Sequence, residues 1–259
     1  MRYVTPKKSL GQHFLRSEET AARIAESLAL GAPMNVLEVG PGMGVLTRHL
    51  LHNEFVRLEC VELDAQSVAY LAEHLPDANV IHADFLHLDL SMMFNGEPFA
   101  VIGNYPYNIS SQIFFHVLEH RDRIPLCCGM VQKEVAERLA ANPGGKTYGI
   151  ISVLLQAYYD IEYLFTVPPD VFDPPPKVQS AVIRMRRNSV QRLDCDEQLF
   201  KTVVKTAFNQ RRKMMRGSLK ALLGSGNKLL NDPVMTLRPE QLSVEQFVEL
   251  TNKIALERQ

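Results

Sequence analysis

Residues 103–107 read Gly-Asn-Tyr-Pro-Tyr, residue types suited to chemistry at an exocyclic amine. The N6 nitrogen of adenine delocalises its lone pair into the ring. It becomes nucleophilic when acceptors hold its hydrogens. The side-chain oxygen of Asn104 and the backbone carbonyl of Tyr105 can do this. Pro106 stiffens the turn that aims the carbonyl, and Tyr107 offers a ring on which a base can stack. Attack on a sulfonium methyl is a direct in-line displacement, so catalysis is positioning and desolvation and needs no general base. An N-x-P string alone signals only a turn. A second constellation upstream gives it weight.

Residues 36–47 read VLEVGPGMGVLT, an apolar strand running through Gly40, Gly42 and Gly44 into a helix. Glycines there allow a tight turn and close approach of backbone to a ligand. The dinucleotide pattern G-x-G-x-x-G would need glycine at 45, where Val45 stands. G-x-G-x-G preceded by Glu38 fits the methyltransferase form better. Glu62 closes the next strand, 22 residues after Gly40, where an acid can grip the two hydroxyls of a ribose. Asp84, in the string HADF, closes the third and can accept from an adenine amine. A lone acid would be read as a solvated loop residue or a helix cap. Three at successive strand ends point to S-adenosylmethionine.

These residues need a scaffold that presents strand ends together. Strand candidates at 36–39, 55–61, 79–82, 99–103 and 124–131 alternate with helix candidates at 45–51, 65–74 and 110–120. Two further strands, 161–167 and 178–185, flank a proline-rich loop at 168–176. A buried helix is expected at 150–158, and another helix starts at Ser17, with Ala21, Ile24, Ala25 and Leu28 on one face. The fold class is therefore α/β: a Rossmann-like class I methyltransferase with a mostly parallel seven-stranded sheet. From Asp196 onward the periodicity is helical. The expected division is a catalytic domain at 1–190, with a basic N-terminal arm at 1–16, and a small all-helical domain at 191–259.

The motifs KKSLGQHFL (7–15), LEVGPGMGVLT (37–47), VELD (61–64), GNYPYNIS (103–110) and VPPDVFDPPPKVQSAVIR (167–184) span most of the chain. Together they resemble the rRNA adenine dimethyltransferase family, in its bacterial 16S-directed form. The resemblance implies transfer of two methyl groups to each of two adjacent adenosines in a hairpin loop near the 3′ end of small-subunit rRNA. It implies that His13 and Leu15, in the segment covering the cofactor, lie near the methionine end. It also implies that Phe172 packs on the target base opposite Tyr107; a stiff proline-rich loop presenting one aromatic suits that task. Where this chain has His13 and Tyr105, the family usually has Asn and Leu. Tyr105 is expected to act through its carbonyl, so the side-chain change should matter little. A non-catalytic assembly factor or a 23S rRNA enzyme are the alternatives, and intact Glu62, Asp84 and Asn104 argue against the first.

Net charge is −1, but the charge is polarised. From Gln198 to Asn231 there is no acid, while Arg211, Arg212, Lys213 and Arg216 stand among eight cations. This is the expected rRNA-binding surface, joined by Arg2, Lys7 and Lys8. The four cysteines form no C-x-x-C pair and suit a reducing, cytoplasmic compartment. The polar start of the chain is no secretory signal, and no apolar run is long enough to span a membrane. His116 and His120 have the spacing of a metal pair but lack a third ligand, so no metal is expected. The resemblance implies a monomer.

Overall fold

The computed structural model describes residues 4–258. Among the described residues nine strands form: β1 (Phe14–Leu15), β2 (Met34–Val39), β3 (Val56–Glu62), β4 (Asn79–His82), β5 (Phe99–Asn104), β6 (Leu126–Gln132), β7 (Tyr159–Val167), β8 (Phe172–Asp173) and β9 (Ser180–Arg187). The helices are α1 (Glu18–Glu26), α2 (Val45–Leu51), α3 (Ala65–His74), α4 (Ser110–Glu119), α5 (Lys133–Leu139), α6 (Ile150–Gln156), α7 (Glu197–Asn209), α8 (Met215–Ser218), α9 (Lys220–Leu223) and α10 (Val244–Leu256), with short 3-10 turns between some of them.

Seven strands make one sheet in the order β4-β3-β2-β5-β6-β9-β7. The pairs from β4 to β6 are parallel, and β9 runs antiparallel on β6. Strands β2, β5 and β6 are almost wholly buried, as expected of strands covered on both faces, while the edge strand β4 is not. The chain order reverses between β2 and β5. Such a switch point opens a crevice at the carboxyl ends of the two strands.

Helix α1 starts where the sequence places it. Ser17 Oγ accepts from Thr20 N at 3.1 Å, and Ala21, Ile24, Ala25 and Leu28 are all buried in the core beneath β2, β5 and β6. The two-residue sheet of β1 and β8 is not visible in the sequence. It pairs Leu15 with Phe172 and Phe14 with Asp173.

The division expected near 190 lies close to one at 187/188, but residues 137–159 fall on its far side. The chain divides into one unit of residues 1–136 with 160–187 and another of 137–159 with 188–259. Residues 137–159 leave the α/β layer because α6 packs on α7 and α10. In that helical unit Tyr148 meets Phe208 edge-on at 6.4 Å, and Phe208 lies 6.0 Å from Phe247. Met215 is buried in it and Met214 is exposed. No helix among the described residues is long and apolar enough to cross a membrane.

Candidate active site

Strand register sets the site. Glu38 of β2 faces Ile102 of β5. Two residues further along each chain, the glycine turn and Asn104 emerge side by side. Both line one cavity of about 270 Å³, together with His13, Leu15, Glu62, Asp84 and residues 105–107.

At one end of the cavity Gly40, Gly42 and Gly44 all take positive φ, of 69°, 57° and 78°. A side chain at Gly40 would stand in open space, so the turn leaves room for a ligand, whereas a Cβ at Gly44 would lie 2.3 Å from Leu75 Cδ1. Gly42 N donates to Glu62 Oε2 at 3.0 Å, and Asp64 N donates to Glu62 Oε1 at 2.8 Å. Burial raises the Glu62 pKa against these two bonds. Below the turn, burial pushes the Glu38 carboxyl up to about 7, with the thiol of Cys60 its neighbour on β3. Asp84 caps the turn Phe85–His87; Oδ1 accepts from Leu86 N and Oδ2 meets His87 Nδ1, each at 2.9 Å. Leu63, 48% exposed, gives the cavity an apolar wall beside Phe85. An open backbone cradle, a fixed carboxylate and an apolar wall fit a methyl donor that carries a nucleoside.

At the other end, Asn104 Nδ2 donates to the His13 carbonyl at 3.1 Å. With the amide nitrogen spent there, Oδ1 is the group left to accept from an amine. The Tyr107 hydroxyl is tied to Ser180 Oγ at 2.5 Å, which holds the ring. Burial raises the Tyr107 pKa, against the Ser180 bond. The His13 ring stacks on Tyr107 at 5.3 Å and 26°, and His13 Nδ1 donates to the Pro174 carbonyl at 2.7 Å.

The Tyr105 side chain does more than its expected silence. It is fully buried, its hydroxyl donates to Cys128 O at 2.6 Å, and it meets Phe114 edge-on at 5.6 Å. The absence of side chains at Gly103 and Gly129 makes room for it: a Cβ at Gly129 would lie 2.5 Å from the Tyr105 ring. Those two glycines, one on β5 and one on β6, were the only sequence signal.

The arm over the cavity is latched. Lys7 Nζ pairs with Asp64 Oδ1 at 2.5 Å, and Gln12 Nε2 donates to Oδ2 at 3.3 Å. Burial would raise the Asp64 pKa, but the bonds from Lys7, the Gln66 N–H and Gln12 hold it below its usual value. Asp64, Gln12 and Ser180 were not singled out from sequence, although Asp64 ends the VELD string.

Two expectations are corrected. Phe172 does not line the cavity. Its pairing with Leu15 turns it into the core, where it is 3% exposed and packs among Ile24, Met130 and Val182. Lys7 is spent on Asp64 rather than offered to phosphate. In the basic set, Arg211 is half-buried and donates to the Lys146 carbonyl, while Lys8, Arg212, Lys213 and Arg216 are exposed. Arg2 lies outside the described residues.

A seven-stranded sheet of this order, with a glycine turn and Asn-Tyr-Pro-Tyr at its switch point, defines a class I methyltransferase. The model of the family described as ribosomal RNA adenine dimethylase matches residues 4–256, and the chain belongs to that family. It is 62% identical to the ribosomal RNA small subunit methyltransferase A of Parabacteroides distasonis, over 97% of this chain and 94% of that protein. Among solved structures it is similar to a dimethyladenosine transferase from Plasmodium falciparum, with 20% identity, a TM-score of 0.77 and coverage of 95% and 98% of the two chains. It is also similar to the 23S rRNA methyltransferase ErmE, with 30% identity, a TM-score of 0.70 and coverage of 92% and 99%.

Proposed function

We propose that the chain transfers methyl groups from S-adenosylmethionine to N6 of two adjacent adenosines in a hairpin loop near the 3′ end of 16S rRNA, within the small ribosomal subunit. The observation that carries this reading is the single cavity joining the glycine turn to Asn104 and Tyr107. The name of the Parabacteroides distasonis relative favours the small subunit over the 23S substrate of ErmE. We take the enzyme to act as a cytoplasmic monomer without a metal.

S-adenosylmethionine supplies an electrophilic methyl on a sulfonium. Glu62 would hold the ribose, Gly40 and Gly42 would border the cofactor closely, and Asp84 would accept from its adenine amine. The backbone at His13 and the Leu15 side chain would close the methionine end. Tyr107 stacks the acceptor base, anchored by Ser180. Asn104 Oδ1 and the Tyr105 carbonyl hold the amine hydrogens, and Pro106 limits the movement of that turn. The neutral apolar walls exclude water, which strengthens these contacts. Arg212, Lys213 and Arg216 on the helical unit would contact rRNA phosphates, with Lys8 on the arm.

The test is transfer of labelled methyl to small ribosomal subunits from cells lacking the modification, beside large subunits as the competing substrate. Nucleoside analysis should recover label as N6,N6-dimethyladenosine from 16S rRNA alone. Label in 23S rRNA, or on another atom, would reject the reading.

A further inference from the structure

His13 joins three parts of the acceptor end that come from separate stretches of chain. Its backbone carbonyl accepts from Asn104 Nδ2 at 3.1 Å. Its ring stacks on Tyr107 with centroids 5.3 Å apart and planes 26° from parallel. Its Nδ1 lies 2.7 Å from the Pro174 carbonyl. A carbonyl can only accept, so Nδ1 carries the hydrogen and donates it to Pro174 O.

We infer that His13 is a positioning residue for the methyl acceptor. Its backbone carbonyl locks the Asn104 amide with Oδ1 free, while its side chain sets the tilt of the Tyr107 ring and pins the proline-rich loop at Pro174. This rests on the reading of the cavity proposed above and assigns the His13 side chain to the acceptor rather than to the methyl donor. The chemical reason is orientation. A freely rotating Asn104 could present Nδ2, a donor, to an amine that needs an acceptor. An unpinned Tyr107 would hold the base off the line of attack, and a displacement of about 1 Å costs on the order of a hundredfold in rate.

Three substitutions separate the ring from the donor. His13→Asn keeps an N–H donor and loses the ring. His13→Phe keeps the ring and loses the donor. His13→Ala loses both. Methyl transfer, binding of S-adenosylhomocysteine by calorimetry, and quenching of a hairpin RNA with 2-aminopurine in its loop are measured on each full-length variant, with thermal melting to check folding. Alanine should lower kcat about tenfold or more and weaken the quench, with S-adenosylhomocysteine affinity changed less than about threefold. Asn and Phe should each lose less than Ala. Loss of activity matched by loss of S-adenosylhomocysteine affinity, with the quench intact, would overturn the inference, as would full activity of the Ala variant. Nitrogen-15 spectra of the histidine-labelled wild type give a readout independent of turnover. They should show His13 protonated at Nδ1, and a neutral ring protonated only at Nε2 would also overturn it. Failure of the wild type on small subunits, with quench and tautomer as expected, would instead fault the proposed substrate.

Discussion

The proposed donor end of the cavity takes Gly40, Gly42 and Glu62 from one strand-turn-helix-strand stretch, with Asp84 one helix and strand further on. The acceptor end takes Asn104 and Tyr107 from one segment, His13 from the arm, and Pro174 and Ser180 from a third. The difference shows in what each end tolerates. Donor-end groups are fixed by their own backbone: Glu62 is held by the N–H groups of Gly42 and Asp64. Acceptor-end groups are fixed by side chains reaching across the fold. A local device survives small shifts of its neighbours, whereas a long-range one depends on all the packing that brings its parts together.

The sharpest way to break this comparison is at Phe172, which supports the arm from the core. Phe172→Ala should cost about 3–5 kcal/mol of unfolding free energy, measured by denaturant titration. Phe172→Leu should retain most of both stability and transfer. Loss of transfer in the Leu variant with stability intact would instead show that the ring stacks on the base, as the sequence led one to expect.

Next in size is Asn104→Ala. Removing one preorganised group at a reacting centre costs about 10²–10³ in rate, so single-turnover transfer should fall by that factor. Affinity for S-adenosylhomocysteine should change little, because the donor end is built separately. A matched fall in both would merge the two ends.

Glu38 probes the donor end by pH. Its folded pKa of about 7 lies above the unfolded value near 4.3. Its contribution to stability is therefore present below about pH 4.3 and is lost as pH rises through 7. Glu38→Gln should match the wild type at pH 4 and be more stable at pH 8, by at most about 4 kcal/mol. Parallel stability curves at the two pH values would mean that the wild-type carboxyl is not held neutral by burial.

The smallest effect lies at neither end. Arg212→Gln, Lys213→Gln and Arg216→Gln together should weaken rRNA binding about tenfold and lower the salt slope by about one for each phosphate no longer neutralised. Filter binding across a salt series measures this, and an unchanged slope would move the RNA surface elsewhere. Arg211 is a poor choice for that test because its guanidinium already serves the Lys146 carbonyl.

Most of the sheet and the donor end were legible in the sequence. Strand Met34–Val39, the glycine turn, Glu62 and Asp84 all stand at the strand ends where apolar runs and turn residues placed them. The cap at Ser17 and the buried face of α1 were equally plain, because caps and periodicity are local. Residues 150–158 illustrate the limit. Their apolar run announced a buried helix, but an apolar run does not name what it is buried against, and the helix belongs to the second unit. Phe172 and Lys7 illustrate it again. An aromatic among prolines and a lysine in a basic arm read as ligand-binding groups until a partner across the fold claims them.

The sequence by itself determined the element types, the glycine turn, the acids at strand ends and the Asn-Tyr-Pro-Tyr segment, because each depends on neighbours a few residues away. Only the tertiary structure decided that Asn104 presents Oδ1, that Asp64 latches the arm and that His13 ties Tyr107 to Pro174. These are contacts between residues 52 to 161 positions apart in the chain. No local pattern encodes them; they exist because burying the faces of β2, β5 and α1 brings those distant segments to one strand end.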